Sequence, residues 1–358
     1  MAAAYSTGVS TSPTNLLQTL VTWLVVQGWS LDLSAADGLG WRAHLHKGGL
    51  YVHFRSAELE QIYPNGAGKF HDSGNKSDPG NNPLAKGYGI GFYLGDGFSG
   101  ASPWHQQPGR PIRITDSTMI GVGMNLPSGS VAAYHFFDDG NDNITVVVER
   151  TAGLITHLGF GPAMAPCGQP ENFPYMFGAT GSYDNTNPGP YSRNLAGINI
   201  TAWAPMSHGD NGGPSLQGPY PPPSYVHTNA LVRVDAASYP ARWISNGERA
   251  DYEWGYSGKF MRCALNQNPE TQGELNEDEY PGFQYLQGRL YQSAFAGALL
   301  LPIYCYMETA AGRWAPIGYP PSVFHSEAVG HGYRLGDVYQ VGGLDYMVFP
   351  NFAVRKAA

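Results

Sequence analysis

Charge is scarce in this sequence. Asp, Glu, Lys and Arg together make up 13% of the 358 residues, roughly half the ~25% of an ordinary soluble domain, so few side chains can move protons or polarise a substrate. Positive charge is the scarcer sign: 20 Lys+Arg stand against 28 Asp+Glu, a formal net charge of -8. No basic run occurs, which argues against a direct DNA or RNA partner, because a phosphate backbone demands a basic stripe. Cysteine is nearly absent too. Cys167, Cys263 and Cys305 are odd in number and far apart, matching neither a disulfide framework nor a zinc spacing, and they read as reduced thiols formed in a cytosol. No apolar run approaches the ~20 residues of a membrane-spanning helix. The opening Met1-Ala2-Ala3-Ala4-Tyr5-Ser6-Thr7-Gly8 has neither the positive nor the apolar region of a secretion signal. The expectation is a soluble chain with no membrane insertion, in which sequons such as Asn143-Ile144-Thr145 and Asn199-Ile200-Thr201 carry no meaning for glycosylation.

What is abundant is glycine (47), proline (28) and aromatic side chains (13%). Such a chain builds turns and packed surfaces more readily than reaction centres. Its length permits two or three domains, although one large all-β unit could absorb much of it.

One segment reads as helix. Ser12 is placed to cap it, Pro13 suits its first position, Leu16, Leu17, Leu20, Val21 and Leu24 recur at helical spacing, and Gly28 is suited to a left-handed stop. The spacing predicts a helix over Pro13 to Gln27 with its Leu16/Leu20/Leu24 face covered by a sheet or a neighbouring subunit. The period then changes to two. Trp41, Ala43 and Leu45 alternate with Arg42, His44 and His46, and Leu50, Val52 and Phe54 alternate with Tyr51, His53 and Arg55, around Lys47-Gly48-Gly49. That is a β-hairpin with one buried face. A second hairpin is expected from Val131–Phe137 and Ile144–Arg150 around Asp138-Asp139-Gly140-Asn141-Asp142-Asn143.

Between and after these, Tyr63 to Pro111 and Gly161 to Ser224 are dense in Gly, Pro, Asn and Asp, a composition that favours turns, and Pro221-Pro222-Pro223 favours an extended chain. Both stretches are expected to be irregular and to contact neighbours. Strand character resumes at Leu231-Val232-Arg233-Val234, Asn266 to Asp278 reads as an exposed loop, and Gly- and Pro-broken strands run from Ala298 to Val354. The fold class expected is mainly β: antiparallel β-sandwich-like modules with a short N-terminal helix and long irregular loops, divided at residues 1–60, 61–225 and 226–358.

Candidate chemistry is thin. Asp138-Asp139-Gly140-Asn141-Asp142-Asn143 invites a calcium reading, with Glu149 twelfth from Asp138, but Gly140 occupies a ligand position and Asn143 stands where an EF-hand needs Gly. A hairpin turn satisfied by Asx hydrogen bonds fits better. His44, His46 and His53 would cluster on one face of the first hairpin, where three imidazoles suit a transition metal, but solvent-facing histidines have the same spacing. His157, before Leu158-Gly159-Phe160-Gly161, has no identifiable nucleophile or acid and reads as a strand-end histidine bonded to backbone. Gly87-Tyr88-Gly89-Ile90-Gly91 is no dinucleotide fingerprint because no helix follows. Asp251 and Glu253, beside Tyr252 and Trp254, form the one acid and aromatic cluster suited to a sugar groove. No constellation is complete, so the expectation is no catalytic residue, no cofactor and no metal.

Three stretches together resemble the structural proteins of tailed bacteriophages. Tyr5-Ser6-Thr7-Gly8 with Asn15-Leu16-Leu17-Gln18-Thr19-Leu20 and Gly28-Trp29 is similar to their amino-terminal module. Tyr134-His135-Phe136-Phe137 and Ile144 to Glu149 with Gly153 and His157-Leu158-Gly159-Phe160-Gly161 resemble the middle one. Leu301-Pro302-Ile303, Pro316 to Pro321, Gly336-Asp337-Val338 and Tyr346-Met347-Val348-Phe349-Pro350 resemble the carboxyl-terminal one. The resemblance implies a virion component of the tail or baseplate, made in the host cytoplasm, a homo-oligomer in a symmetric ring with other virion proteins as partners and no enzymatic activity. The rival expectations are a host-receptor or carbohydrate-binding virion module, which would stack sugars on exposed Trp and Tyr, and a glycan-degrading enzyme with two carboxylates across a groove.

Overall fold

In chain order the first elements are strand β1 (Ala4–Ser10), helix α1 (Pro13–Val26), β2 (Ser30–Asp37), β3 (Gly40–Lys47), β4 (Leu50–Glu60), β5 (Gly87–Gly95) and β6 (Val122–Asn125). Then follow β7 (Val131–Asp138), β8 (Ile144–Thr151), β9 (Leu154–Gly161), β10 (Ala165–Pro166), β11 (Tyr175–Gly178) and β12 (Thr180–Gly181). The last part holds β13 (Asn229–Ala236), β14 (Tyr239–Ser245), β15 (Cys263–Leu265), β16 (Leu301–Pro302), β17 (Cys305–Ala310), β18 (Arg313–Tyr319), β19 (Val323–His325), β20 (Val338–Val341), β21 (Leu344–Val348) and β22 (Phe352–Lys356). This computed structural model describes residues 2–60, 87–111, 122–151, 154–166, 174–178, 180–181, 229–236, 239–245, 263–265, 300–302, 305–310, 313–325, 332–349 and 352–357. Asp251, Glu253, Cys167, Pro221 to Pro223 and Asn266 to Asp278 lie outside them.

The helix begins and ends where its residues dictate. Ser12 Oγ accepts the Asn15 N–H (3.2 Å), Pro13 occupies the first turn, and the Glu58 carboxylate accepts the Thr14 N–H (3.0 Å), so orphan donors at the positive end meet an oxygen. Gly28 stops the helix at φ +83°, a conformation that costs glycine little. Leu16, Leu17, Leu20, Val21 and Leu24 are buried against β3, β4 and β5, and the face that spacing assigned to a sheet is on one.

All strand pairs among the described residues are antiparallel and form four sheets: β1-β7-β8-β9-β11-β13-β14, β12-β6-β5-β4-β3-β2, β10-β18-β17-β15 and β16-β19-β22-β21-β20. The protein is mainly β, and both expected hairpins are present as β3–β4 and β7–β8. The six- and seven-stranded sheets bury one face each in a common core with α1. Leu45, Val52, Phe54 and Phe92 from one meet Phe136, Val146, Leu158 and Phe160 from the other. Phe160 is the bridge, with its ring centroid 5.5 Å from Trp29, 5.5 Å from Phe92 and 5.9 Å from Phe54. At one corner the two sheets touch through backbone: a Cβ on Gly178 would lie 2.5 Å from the carbonyl oxygen of Gly123. Only glycine permits that approach, and it lets the chain step from β11 into β12, from one sheet to the other.

The opposite face of the seven-stranded sheet is buried as well. Phe137, Val147 and His157 on it are covered by Phe349 and Phe352 of the C-terminal five-stranded sheet, with Phe349 5.7 Å from His135 and 6.3 Å from Phe137, and Phe352 5.5 Å from His157. The seven-stranded sheet is therefore the middle layer of a stack. Pairing also crosses both positions at which composition suggested module boundaries. β1 pairs with β7 and β4 with β5 across residue 60, and β11 pairs with β13 across residue 225.

The expectation of irregular chain over Tyr63 to Pro111 and Gly161 to Ser224 needs correction where the structure describes them. β5 is a nine-residue strand between β4 and β6, and β11 joins β9 to β13. In Gly87-Tyr88-Gly89-Ile90-Gly91-Phe92-Tyr93-Leu94-Gly95 the glycines alternate with apolar residues, so Ile90, Phe92 and Leu94 fill the core while Gly89 and Gly91 place no side chain on the other face. Counting glycine as a breaker hid a period of two.

Candidate functional site

The outer face of the six-stranded sheet gathers the histidines that the hairpin spacing placed together. Register sets His44 opposite His53 and His53 opposite Tyr93, so all three side chains share one face, with Arg42 and Arg55 one pair along. His44 and His53 are fully buried and hydrogen-bond to each other, Nδ1 to Nδ1, at 2.8 Å. One ring donates and the other accepts, so a single proton lies between the two nitrogens. Burial, helped by the Arg42 charge, pulls the His44 imidazole down to about 4. Burial and then His44 hold His53 well below its ordinary 6.5, against an opposing bond to the Gly97 backbone.

Residues 96–111 close over this pair. The loop is clipped at its neck by the Asp96 N–H on the Pro108 carbonyl (2.9 Å) and seats Phe98 5.1 Å from His44. Gln107, fully buried, pins it from within: its Oε1 accepts the Ser99 N–H (2.8 Å) and its Nε2 donates to the carbonyls of Ser99, Ser102 and Pro103 (3.2, 3.0 and 3.2 Å). Tyr93 donates its hydroxyl to the Trp104 carbonyl and accepts the Gln107 N–H (3.4 Å). The third histidine goes elsewhere. Asp32, at a bulge in β2, takes the His46 Nδ1–H with both carboxylate oxygens (2.9 Å each). The three histidines do share a face, but His44 and His53 spend their facing nitrogens on each other. Among the described residues no three His, Cys, Asp or Glu side chains form a metal-holding group.

The Asp138 to Asn143 turn is an Asx turn. Asp139 Oδ1 accepts the Asn141 and Asn143 N–H groups (2.8 and 3.3 Å), its Oδ2 accepts Asn143 Nδ2 (2.9 Å), and Asn143 Oδ1 accepts the Tyr175 hydroxyl (2.9 Å). Asp138 accepts the Gly140 N–H (2.7 Å), and burial pushes its carboxyl above the ordinary range. Asp142 faces Lys47 (2.5 Å), which also donates to the Gln27 carbonyl (2.8 Å). These oxygens tie the β7–β8 turn to itself, to β11 and to the β3–β4 turn. Asp139→Ala would take the acceptor from two buried donors, the Asn143 N–H and Nδ2, and is expected to cost ~2–3 kcal/mol in urea unfolding, with no change in the melting temperature of the wild type when calcium is added.

His157 is not at a strand end. It lies inside β9 opposite Val147, between the rings of Phe177 (6.0 Å) and Phe352 (5.5 Å), where the C-terminal sheet packs. A histidine that sequence reasoning passed over, His135, has a more pointed setting. Its Nδ1 bonds the Tyr5 hydroxyl (2.9 Å) and its Nε2 is 3.6 Å from the Glu149 carboxylate, while Lys356 lies 4.9 Å over the Tyr5 ring. Burial lowers His135, opposed by Glu149, and raises Tyr5. The alternation around Tyr134-His135-Phe136-Phe137 was the available signal: with Phe136 inside, His135 and Phe137 had to share the other face.

Beside this junction runs the edge of the seven-stranded sheet. No strand pairs with the outer side of β1 among the described residues. Its sequence, Ala4 to Ser10, contains no Lys, Pro or carboxylate, and Val9, 71% exposed, sits at a register shift between Gly8 and Ser10. Proteins ordinarily blunt such edges with those residues.

No protein-family model matches the sequence, and no curated protein matches it.

Proposed function

We propose that this chain is a structural component of a tailed-bacteriophage particle, of the tail or baseplate, that works by assembling into a symmetric homo-oligomer with other virion proteins as neighbours. The residue patterns quoted above for its three stretches suggest the family. The observation that carries the assembly reading is the β1 edge: an uncharged strand, irregular only at Val9, ending a sheet whose central strands β7, β8 and β9 are buried on both faces. A strand of that kind binds by extending the sheet with main-chain hydrogen bonds, and a neighbouring subunit supplies a partner at high local concentration. The role so proposed is mechanical and has no chemical step. Trp23, Trp29, Trp41 and Trp104 are buried or half-buried in packing and serve the fold, not a sugar platform.

The test is mass spectrometry of purified particles with cross-linking. The proposal expects the chain in stoichiometric, repeated copies, cross-linked to itself. Absence from the particle refutes it.

A further inference from the structure

The His44–His53 pair has no part in that assembly reading, yet two buried imidazoles sharing one proton are costly to arrange for packing alone. Their neighbours sharpen the point. Arg42 on β3 bears on His44, Arg55 lies opposite Arg42 on β4, and Arg110 of the covering loop bears on Tyr93 and His105. The nearby carboxylates are engaged: Asp37 and Glu60 with Arg55 (3.2 and 2.9 Å) and Asp32 with His46. Apart from the Gly97 backbone bond to His53, the charged groups around the pair oppose a positive charge on it.

We propose that His44 and His53 form an acid-operated latch: once both rings carry protons at both nitrogens, the Nδ1–Nδ1 bond is lost and residues 96–111 lift from the outer face of the six-stranded sheet, while the two-sheet core stays folded. Two N–H groups cannot point at each other across 2.8 Å. The closed loop sits directly on the pair through Phe98, whose ring lies 5.1 Å from that of His44, so separating the rings pushes against the cover. The loop is also the part that can leave. Its internal bonds, the Gln107 set and the Asp96–Pro108 clip, travel with it, and what opening must break is the packing of Phe98 on His44 and of the buried Trp104 on Tyr93 (5.4 Å) with the Tyr93 hydroxyl's bond to the Trp104 carbonyl. Opening would bare Tyr93 and both imidazoles as a new polar and aromatic surface.

The sign of the pH dependence follows from linkage. In the open state each ring takes its proton near 6.5, and in the closed state His44 does so only at about 4 and His53 well below 6.5. Closure is therefore fully favoured above 6.5 and loses ground as pH falls from there to about 4. The opening constant should rise about tenfold per pH unit from one ring and up to about a hundredfold from two, at least ~10²-fold across the window.

Hydrogen exchange on the full chain, corrected for the intrinsic pH dependence of exchange, reads this directly. Between pH 6.5 and 4, peptides from 96–111 should lose protection ahead of the β8 and β9 peptides, and His44→Gln with His53→Gln should remove that pH dependence where His46→Gln does not. Simultaneous loss in all peptides, or an unchanged transition in the double variant, overturns the latch. If the double variant does not fold, ring resonances of the histidines in the wild-type chain decide: two rings titrating together well below 6.5, in step with exchange of 96–111, support it, and two rings titrating near 6.5 overturn it.

Discussion

Phe160→Ala is expected to lower the unfolding free energy by ~3–5 kcal/mol, a large fraction of the ~5–15 kcal/mol that holds a native domain together. The ring has no solvent exposure and fills the space between two sheets, touching Trp29 after the helix and Phe54 and Phe92 of the facing strands. A cavity there cannot be closed by one side chain relaxing, because each wall belongs to a different element. Urea unfolding followed by far-ultraviolet circular dichroism should show a lower midpoint with an unchanged slope. Phe160→Leu, which keeps most of the volume, should lose far less. A shift below ~1 kcal/mol for the alanine variant would mean that the sheets are not joined through this ring.

Phe349→Ala removes the same ring from a comparably buried site, yet the expected result differs in kind. Phe349 stacks on Phe352 (5.0 Å) and meets His135 and Phe137 edge-on, so it fastens the C-terminal sheet to the outside of the middle layer. Its loss should release residues 332–357 while the two-sheet core stays intact, because that core includes none of them. The expected readout is rapid proteolysis and amide exchange confined to the C-terminal peptides, with β7 and β8 still protected. Cooperative unfolding of the whole chain at the same denaturant concentration as for Phe160→Ala would contradict this division into layers.

These two rings also show how far sequence reasoning reached. Helix α1 was legible to its caps, since Ser12, Pro13, the leucine spacing and Gly28 act locally and agree with one another. The β3–β4 and β7–β8 hairpins were legible for the same reason, from alternation and short turns. β5 was not, because glycine reads locally as a breaker, whereas here it alternates with the apolar residues of a central strand. The three-layer arrangement was not legible either: it depends on Phe349 reaching His135 across more than two hundred residues, and no local pattern encodes such a contact. At the candidate site, the shared face of His44, His46 and His53 could be read from period two. The pairing of His44 with His53 in place of a metal could not, since it rests on strand register. The Asx reading of the Asp138 to Asn143 turn held because those hydrogen bonds run within six residues.

Assembly is the central claim, and the mass of the intact chain in solution tests it most directly. Native mass spectrometry with light scattering, from nanomolar to tens of micromolar protein, should find one closed multimer, and Val9→Lys on the exposed β1 edge should weaken it without lowering the unfolding midpoint of the subunit. A chain that stays monomeric across that range, or a multimer indifferent both to Val9→Lys and to a proline at the same position, would contradict the account.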